Sequence, residues 1–167
     1  MNHLDAIEKG LTDKTSFNEI VRRVYLCYPT HALIGHEDKQ YEIFNEISCH
    51  FSIPIMSIQV AGSAKTGHSF HKKTKFNPNE SDLDIAIIDV GLYQRYMEIA
   101  FRETRGYSDK TKFELKNGVS KADEYIEYIA KGIFRPDLMP SCVERGEWNS
   151  FFGNLSRRPK YRTKNQK

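Results

Sequence analysis

Two aspartates at an i, i+2 spacing are the strongest chemical signal in the sequence. Asp82 and Asp84 open the apolar run DLDIAIID, residues 82–89. The alternation over this run predicts a strand, on which residues i and i+2 face the same side. Two adjacent carboxylates repel each other unless a cation lies between them, and oxygen ligands favour Mg²⁺ or Mn²⁺. The pair therefore predicts a divalent metal site; the alternative is two solvated acids at a turn.

A glycine-rich segment, Gly62 to Gly67 (GSAKTG), follows a second strand-like run, IPIMSIQVAG, at residues 53–62. Glycine at the end of a strand lets the backbone turn sharply and approach a ligand. The backbone N–H groups, the Ser63 hydroxyl and the Lys65 ammonium are donors that suit phosphate oxygens. These residues predict a phosphate-binding loop.

This segment fits the spacing of a P-loop only in part. His68 stands where the P-loop lysine is required, and the residues that follow lack the pattern of a helix. A P-loop NTPase is therefore disfavoured. We expect residues 63–81 to form an extended polar loop in which His68 and His71 lie near phosphate and are not metal ligands. Its lysines contact triphosphate or an acceptor strand, or are simply solvated: Lys72, Lys73 and Lys75.

The order of the two motifs resembles the DNA polymerase beta-type nucleotidyltransferase superfamily. The match covers about residues 53–90, a quarter of the chain, and its motif residues are Gly62, Ser63, Gly67, Ser81, Asp82 and Asp84, with apolar Leu83, Ile85, Ile87 and Ile88 around the aspartates. The resemblance implies that Asp82 and Asp84 bind Mg²⁺ or Mn²⁺, and that the loop around Ser63, with Lys65 and Ser81, holds a nucleoside triphosphate. In such enzymes a hydroxyl attacks the α-phosphate and pyrophosphate leaves.

The sequence departs from that superfamily in two ways. The spacing from Gly62 to Asp82 is longer than in the compact form of the motif, so the loop between them is specialised. Active members also place a third carboxylate on a later strand. Asp137, in GIFRPDLMP, is the first candidate for a catalytic, metal-binding third acid, and Glu114, in KFELK, is the second.

Hydrophobic periodicity elsewhere predicts the elements that position this site. We expect an α/β fold of the α+β kind, a minimal palm-like mixed sheet flanked by helices. One domain spans 1–156, with N-terminal helices at about 1–51, the motif core at about 53–90 and C-terminal helices at about 91–156. The predicted helices are 14–26, 37–51, 92–105, 121–131 and 144–155; 112–116 predicts a short strand and 132–140 a strand or an ordered loop.

Charge and composition narrow the class of protein. The chain has 167 residues and a net charge of +3, but the last eleven carry six basic and no acidic side chains. The body is thus slightly acidic, which excludes a uniformly basic coat protein, and 157–167 forms a flexible basic tail in which Tyr161 can stack on a base or accept a nucleotide. Three scattered cysteines disfavour a disulfide or zinc scaffold, and no run is long enough for membrane insertion, so we expect a cytoplasmic protein.

These observations favour transfer of a nucleoside monophosphate from an NTP or dNTP to a hydroxyl. The acceptor is a nucleotide, a nucleic acid or a protein. Small stand-alone relatives act in bacterial defence and toxin–antitoxin systems, so the resemblance implies such a role, with a partner protein or a second copy of the chain. The alternatives are a catalytically silent relative that binds a nucleotide or a partner, and a protein that binds nucleic acid through its tail.

Overall fold

A computed structural model describes residues 3–158 of the chain. These residues form two compact units, 3–88 and 89–158. The motifs with Asp82 and Asp84 lie in the first unit, and both candidate third acids lie in the second. The expectation of one domain over 1–156 stays a prediction. The tail residues 159–167, with Tyr161, lie outside the described residues, whereas Arg157 ends a helix.

The first unit is mainly helical. Its elements are α1 (His3–Thr12), α2 (Phe17–Val21), a π-helical turn (Arg22–Cys27), a 3₁₀ turn (His31–Leu33), α3 (Glu37–Phe51), a 3₁₀ turn (Ile55–Ser57) and α4 (Gly62–Thr66). The Ser16 hydroxyl caps α2 by accepting the N–H of Glu19. The four-residue spacing of Ile43, Ile47 and Phe51 puts all three on the buried face of α3.

Two antiparallel strand pairs complete this unit. Strand β1 (Ile58–Val60) pairs with β4 (Ile85–Ile87), so that Val60 faces Ile85. Strand β2 (His68–Ser69) pairs with β3 (Thr74–Lys75) as a hairpin. The core beside the motifs contains Leu33, Val60 and Ala64, with partly buried aromatic and aliphatic side chains packed around it: Phe44, Phe76, Leu83 and Ile85.

Both predicted strands of the motif core are shorter than expected, and the loop between them is more ordered. Pro54 precedes a 3₁₀ turn, which delays β1 to Ile58. The aspartates precede β4 instead of lying within it. Residues 63–81 contain most of α4 and the β2–β3 hairpin, so the prediction of one extended loop was wrong. The strands of this hairpin have two residues each and are joined by a tight turn, so they are too short to show a hydrophobic period in the sequence.

The second unit also combines helices with one strand pair. Its elements are α5 (Val90–Glu103), β5 (Leu115–Lys116), β6 (Val119–Ser120), α6 (Ala122–Ala130) and α7 (Val143–Arg157). Its core contains Ala100, Phe113, Ala122, Tyr125 and Leu138. Residues 132–140 form turns without a strand, which settles the alternative left open by the two prolines.

The fold class is therefore a mixture of helices and short antiparallel strands, as an α+β assignment requires. Within residues 3–158, each sheet has only two strands. None of the helices in this range combines the length and apolar character needed to cross a membrane.

Candidate active site

The two motifs meet where β1 ends and β4 begins. The Ala61 N–H donates a 2.8 Å hydrogen bond to the Asp84 carbonyl, which extends the ladder by one step. The next residue, Gly62, has φ +61°, and a Cβ added there would lie 2.3 Å from Asp84 Oδ2. Two features thus require glycine at position 62: the left-handed backbone and the close carboxylate. The antiparallel pairing brings together residues that the sequence separates by a long insertion.

Desolvation and a like charge act on the Asp84 carboxyl. Burial raises its pKa above the ordinary value, and the neighbouring Asp82 raises it further. Both effects disfavour the carboxylate, and a bound divalent cation would reverse both. Asp82 and Asp84 are both exposed as whole residues, so the burial of the Asp84 carboxyl is partial and a cation can approach the pair from solvent. The donor set of two carboxylates therefore fits Mg²⁺ or Mn²⁺, the ions that prefer oxygen ligands.

Ser63 lies in the first turn of α4, next to Gly62. The first N–H groups of a helix have no acceptor within it, so the backbone at this end of α4 presents donors on the side where Gly62 meets Asp84. Ser63 is partly exposed, whereas the three residues after it, Ala64, Lys65 and Thr66, are buried. The start of α4 thus faces outward and the rest of the helix packs against the unit.

Lys65 lies on the inward side of α4. Lys65 is only 3% exposed, and its Nζ donates a 2.7 Å hydrogen bond to the Tyr28 carbonyl. Burial lowers the pKa of the Lys65 ammonium. The geometry therefore gives no support to a role for Lys65 in nucleotide binding, and it indicates that this ammonium ties α4 to the chain segment at Tyr28.

Gly67 and Ser81 have backbone roles at the two ends of the insertion. Gly67 ends α4 with φ +78°, and a Cβ there would lie 2.9 Å from the His31 ring. Ser81 closes the turn before the aspartates: its N–H donates to the Asn77 carbonyl at 2.7 Å, and its hydroxyl accepts the Asn77 N–H at 3.1 Å. Both residues shape the backbone near the site.

Asp137 lies in the second unit and is held by Arg135. The guanidinium donates two hydrogen bonds to this carboxylate, at 3.0 Å from Nε and 2.6 Å from Nη2. A bidentate pair of this kind satisfies both carboxylate oxygens. The structure therefore gives Asp137 an ion-pair partner in its own unit, and it does not group Asp137 with Asp82 and Asp84.

Glu114 is likewise neutralised within the second unit. Lys121 Nζ lies 2.8 Å from one carboxylate oxygen, and Arg145 contacts the other. Hydrogen bonds from Lys121 and Arg145, in that order, lower the pKa of Glu114. Over residues 3–158, no group of three or more His, Cys, Asp or Glu side chains is arranged to hold a metal ion. A third metal ligand is therefore not identified among these residues.

Sequence reasoning missed two residues that position the site. Thr66 is buried, and its hydroxyl donates a 2.9 Å hydrogen bond to the His68 carbonyl, which joins α4 to the β2–β3 hairpin. The Asn77 carbonyl accepts the N–H groups of Glu80 and Ser81, at 3.1 and 2.7 Å, and the Asn77 side chain accepts the N–H of Asn79. Asn-Pro is a known turn initiator, so the Asn77-Pro78 pair was an available signal. Nothing local marked Thr66.

Three comparisons with known proteins bear on this chain. No protein-family model matches it, and neither the curated proteins nor the solved structures give a significant match.

Proposed function

We propose that the chain is a metal-dependent nucleotidyltransferase that acts in the cytoplasm. The observation that carries this proposal is the close approach of Gly62 to the Asp84 carboxylate, with Asp82 beside it. Because Gly62 has no Cβ, the backbone can lie close to the two carboxylates. Phosphate oxygens and a cation can then bind at the same point. Phosphoryl transfer requires that combination of positioning and charge neutralisation.

Asp82 and Asp84 would hold Mg²⁺ or Mn²⁺. The cation, when bound, neutralises the charge that develops on the phosphoryl oxygens. Gly62 and Ser63 present backbone donors to the triphosphate, while Gly67 and Ser81 fix the backbone on either side. The acceptor hydroxyl releases its proton to solvent, and its oxygen bonds to the α-phosphorus; the bond from that phosphorus to the β-phosphate bridging oxygen breaks, and pyrophosphate leaves.

The proposed fold is the minimal form of the palm-like sheet. In this proposal β1 and β4 are its central pair, and α4 follows β1 as the motif helix. The acceptor is a nucleotide, a nucleic acid or a protein hydroxyl, and a role in bacterial defence follows from the resemblance of the motifs. A partner protein or a second copy of the chain would complete the site.

A catalytically silent relative is the second candidate, and one observation favours it. Both candidate third acids, Asp137 and Glu114, are ion-paired in the second unit. A site with only Asp82 and Asp84 can bind a nucleotide with its cation, yet lack a ligand that activates the acceptor. The chain would then act by binding a nucleotide or a partner protein.

Pyrophosphate release from labelled NTPs and dNTPs, with Mg²⁺ or Mn²⁺, tests the enzyme proposal. The double variant Asp82→Asn, Asp84→Asn preserves shape and should lower the rate by at least about 100-fold, since charge stabilisation at a reacting centre contributes 10²–10³ or more. The control is Asp5→Asn with Asp13→Asn, which removes two exposed acids from the same unit.

Three outcomes separate the candidates. Pyrophosphate release that is lost only in the Asp82, Asp84 variant supports the enzyme. Cation-dependent nucleotide binding without any release, also lost in that variant, supports the silent relative. Release that survives the double substitution, or no cation-dependent binding at all, contradicts both.

A further inference from the structure

The β2–β3 hairpin is a fixed part of the first unit. Its start is joined to α4 by the Thr66 hydroxyl, and the Phe76 N–H donates a 2.9 Å hydrogen bond to the Gly67 carbonyl. Phe76 then packs against the core that contains Val60 and Ala64. The hairpin therefore has a defined place at the end of α4, and the residues between its strands project from an anchored base.

The hairpin carries a cluster of lysines without carboxylate partners. Lys72, Lys73 and Lys75 are exposed, and none forms an ion pair within residues 3–158. Glu80 is the one acid between Gly62 and Ser81. The second unit differs, since four of its lysines contact a carboxylate at 2.6–2.8 Å: Lys110, Lys112, Lys121 and Lys131. Three unneutralised cations within four residues create a local positive potential.

An aromatic ring lies beside these lysines. Phe70 directly follows β2 and is 52% exposed, and its ring meets the His68 ring edge-on with centroids 5.7 Å apart. His71, also exposed, is the next residue. One face of a supported aromatic ring next to several cations is the combination that binds single-stranded nucleic acid, because phosphates meet the cations and a base stacks on the ring.

We propose that the β2–β3 hairpin binds single-stranded nucleic acid. Lys72, Lys73 and Lys75 contact successive phosphates, and Phe70 stacks on a base. An acidic protein or an anionic membrane surface would use the lysines but would gain nothing specific from a stacked ring, so the lysine and aromatic pairing favours a nucleic-acid strand. The inference that this strand is the acceptor rests on the proposed function; the binding itself does not.

The position of the hairpin fits an acceptor strand. Helix α4 has five residues, which corresponds to a length of about 7.5 Å. Its first residue, Gly62, meets the Asp84 carboxylate, and its last, Thr66, holds the hairpin. With a phosphate about every 3.4 Å along a stacked strand, this length corresponds to roughly two nucleotides, and the lysines beyond the base of the hairpin add to the span. A strand bound at the hairpin can thus present its terminal hydroxyl near the aspartates.

Anisotropy of a labelled 20-nucleotide oligo(dT) and a mixed-sequence RNA, titrated with the full chain at 50–200 mM salt, tests the binding. The test variant is Lys72→Gln, Lys73→Asn, Lys75→Gln. Asparagine is chosen at position 73 because Lys73 has φ +53°, which asparagine tolerates. The matched control is Lys9→Gln, Lys14→Asn, Lys116→Gln, which removes three exposed lysines, one of them at φ +57°.

We expect the hairpin variant to lose at least about tenfold in affinity at 100 mM salt. The slope of log affinity against log salt should become shallower by about 2, since each phosphate contact to a single strand contributes about 0.7. The control variant should retain the wild-type affinity within about threefold. Thermal melting of both variants should match the wild type, which excludes unfolding as the cause.

Phe70 gives an independent measurement. Phe70→Leu keeps an apolar side chain but removes the stacking face, and should weaken binding about 5- to 20-fold with the salt slope unchanged. Phe70→Trp should restore or strengthen binding. The Asp82→Asn, Asp84→Asn variant should bind the oligonucleotides like the wild type while releasing no pyrophosphate, so failure of the enzyme proposal and failure of the hairpin proposal give different results.

Several results would overturn the hairpin proposal. One is equal affinity for the hairpin variant and its control. A second is loss of binding on deletion of residues 159–167 with no effect of the hairpin substitutions, which would assign binding to the tail. A third is binding to polyglutamate or anionic vesicles as tight as to the oligonucleotides and independent of Phe70, which would indicate a general polyanion or membrane surface.

Discussion

The two units of the chain treat their charged side chains differently. The second unit pairs them: nine ion pairs link its acids and bases, including those of Glu114 and Asp137. In the first unit, Asp82, Asp84 and the hairpin lysines form no ion pair within the described part of the chain. Exposed pairs stabilise a protein little, so the paired charges of the second unit serve mainly local structure. Charges without a counter-charge are the ones available to a ligand.

Among the substitutions that test this comparison of the two units, Gly62→Ala is expected to have the largest effect. Gly62→Ala places a Cβ 2.3 Å from Asp84 Oδ2 and adds the cost of a left-handed backbone, so the carboxylate must move. We expect the rate of pyrophosphate release to fall by about 100-fold or more, and stability to fall by about 2–3 kcal/mol.

Gly35→Ala is the matched control. Gly35 has φ +78° in the same unit, and a Cβ added there meets nothing within 4 Å. It should cost only about 1–2 kcal/mol, the price of a left-handed alanine, with activity unchanged. Urea unfolding measures the stability of the two variants, and the release assay measures their activity. Equal effects of the two substitutions on the rate would show that the contact with Asp84 has no functional role.

An intermediate effect is expected from a buried histidine in the first unit. His3 is 2% exposed, its Nε2 lies 2.8 Å from the Pro29 carbonyl, and burial lowers its pKa, with Lys65 and His31 adding repulsion. The unfolded chain then binds a proton that the folded chain does not. Stability should therefore fall as the pH drops below about 6.5, by up to about 1.4 kcal/mol per pH unit within the window between the two pKa values.

Urea unfolding of the wild type and His3→Gln at pH 7.5 and pH 5.0 measures this term. The substitution removes the titration, so the stability difference between wild type and variant should shift against the wild type at the lower pH. His36→Gln, which removes an exposed histidine from the same unit, is the control for the loss of an imidazole. A pH-independent difference for His3→Gln would contradict the assignment.

The smallest effects are expected for the paired acids. Asp137→Asn removes the acid of one ion pair with Arg135, and Glu114→Gln removes the exposed acid that Lys121 and Arg145 share, so each should change stability by about 0–1 kcal/mol. Cation-dependent nucleotide binding, measured by calorimetry, should stay within about twofold of the wild type. A loss of tenfold or more for one of them would identify it as the third metal ligand and would break the comparison between the units.

Local periodicity was enough to predict the long helices. Residues 37–51 form α3 as predicted, and the expected helices near 92–105, 121–131 and 144–155 appear as α5, α6 and α7 with ends shifted by one or two residues. Helix α1 was not among the individual helices predicted, although Leu4, Ile7 and Leu11 have the spacing of one helix face in its sequence. The β2–β3 hairpin was missed because strands of two residues are too short to show alternation.

The residues of the candidate site also differ in how far the local sequence predicts their geometry. Gly62 and Asp84 each belong to a motif whose own residues are contiguous in sequence. The two residues meet once β1 pairs with β4. The direction of the Lys65 side chain depends instead on how α4 packs against Tyr28, which no motif records. The state of Asp137 and Glu114 depends on cations elsewhere in the second unit, Arg135, Lys121 and Arg145, so residue type alone did not reveal that both acids are already neutralised.

Helix α4 also links folding to binding. Isolated helices shorter than about 12–15 residues are marginal in water, and α4 has five. Its shape is imposed from outside, by Asp84 at its start, Tyr28 at its middle and His31 at its end. A peptide with the sequence GSAKTG would therefore not keep the backbone geometry of α4 by itself. A ligand that requires this geometry selects the folded unit, and its binding energy adds directly to the stability of the first unit.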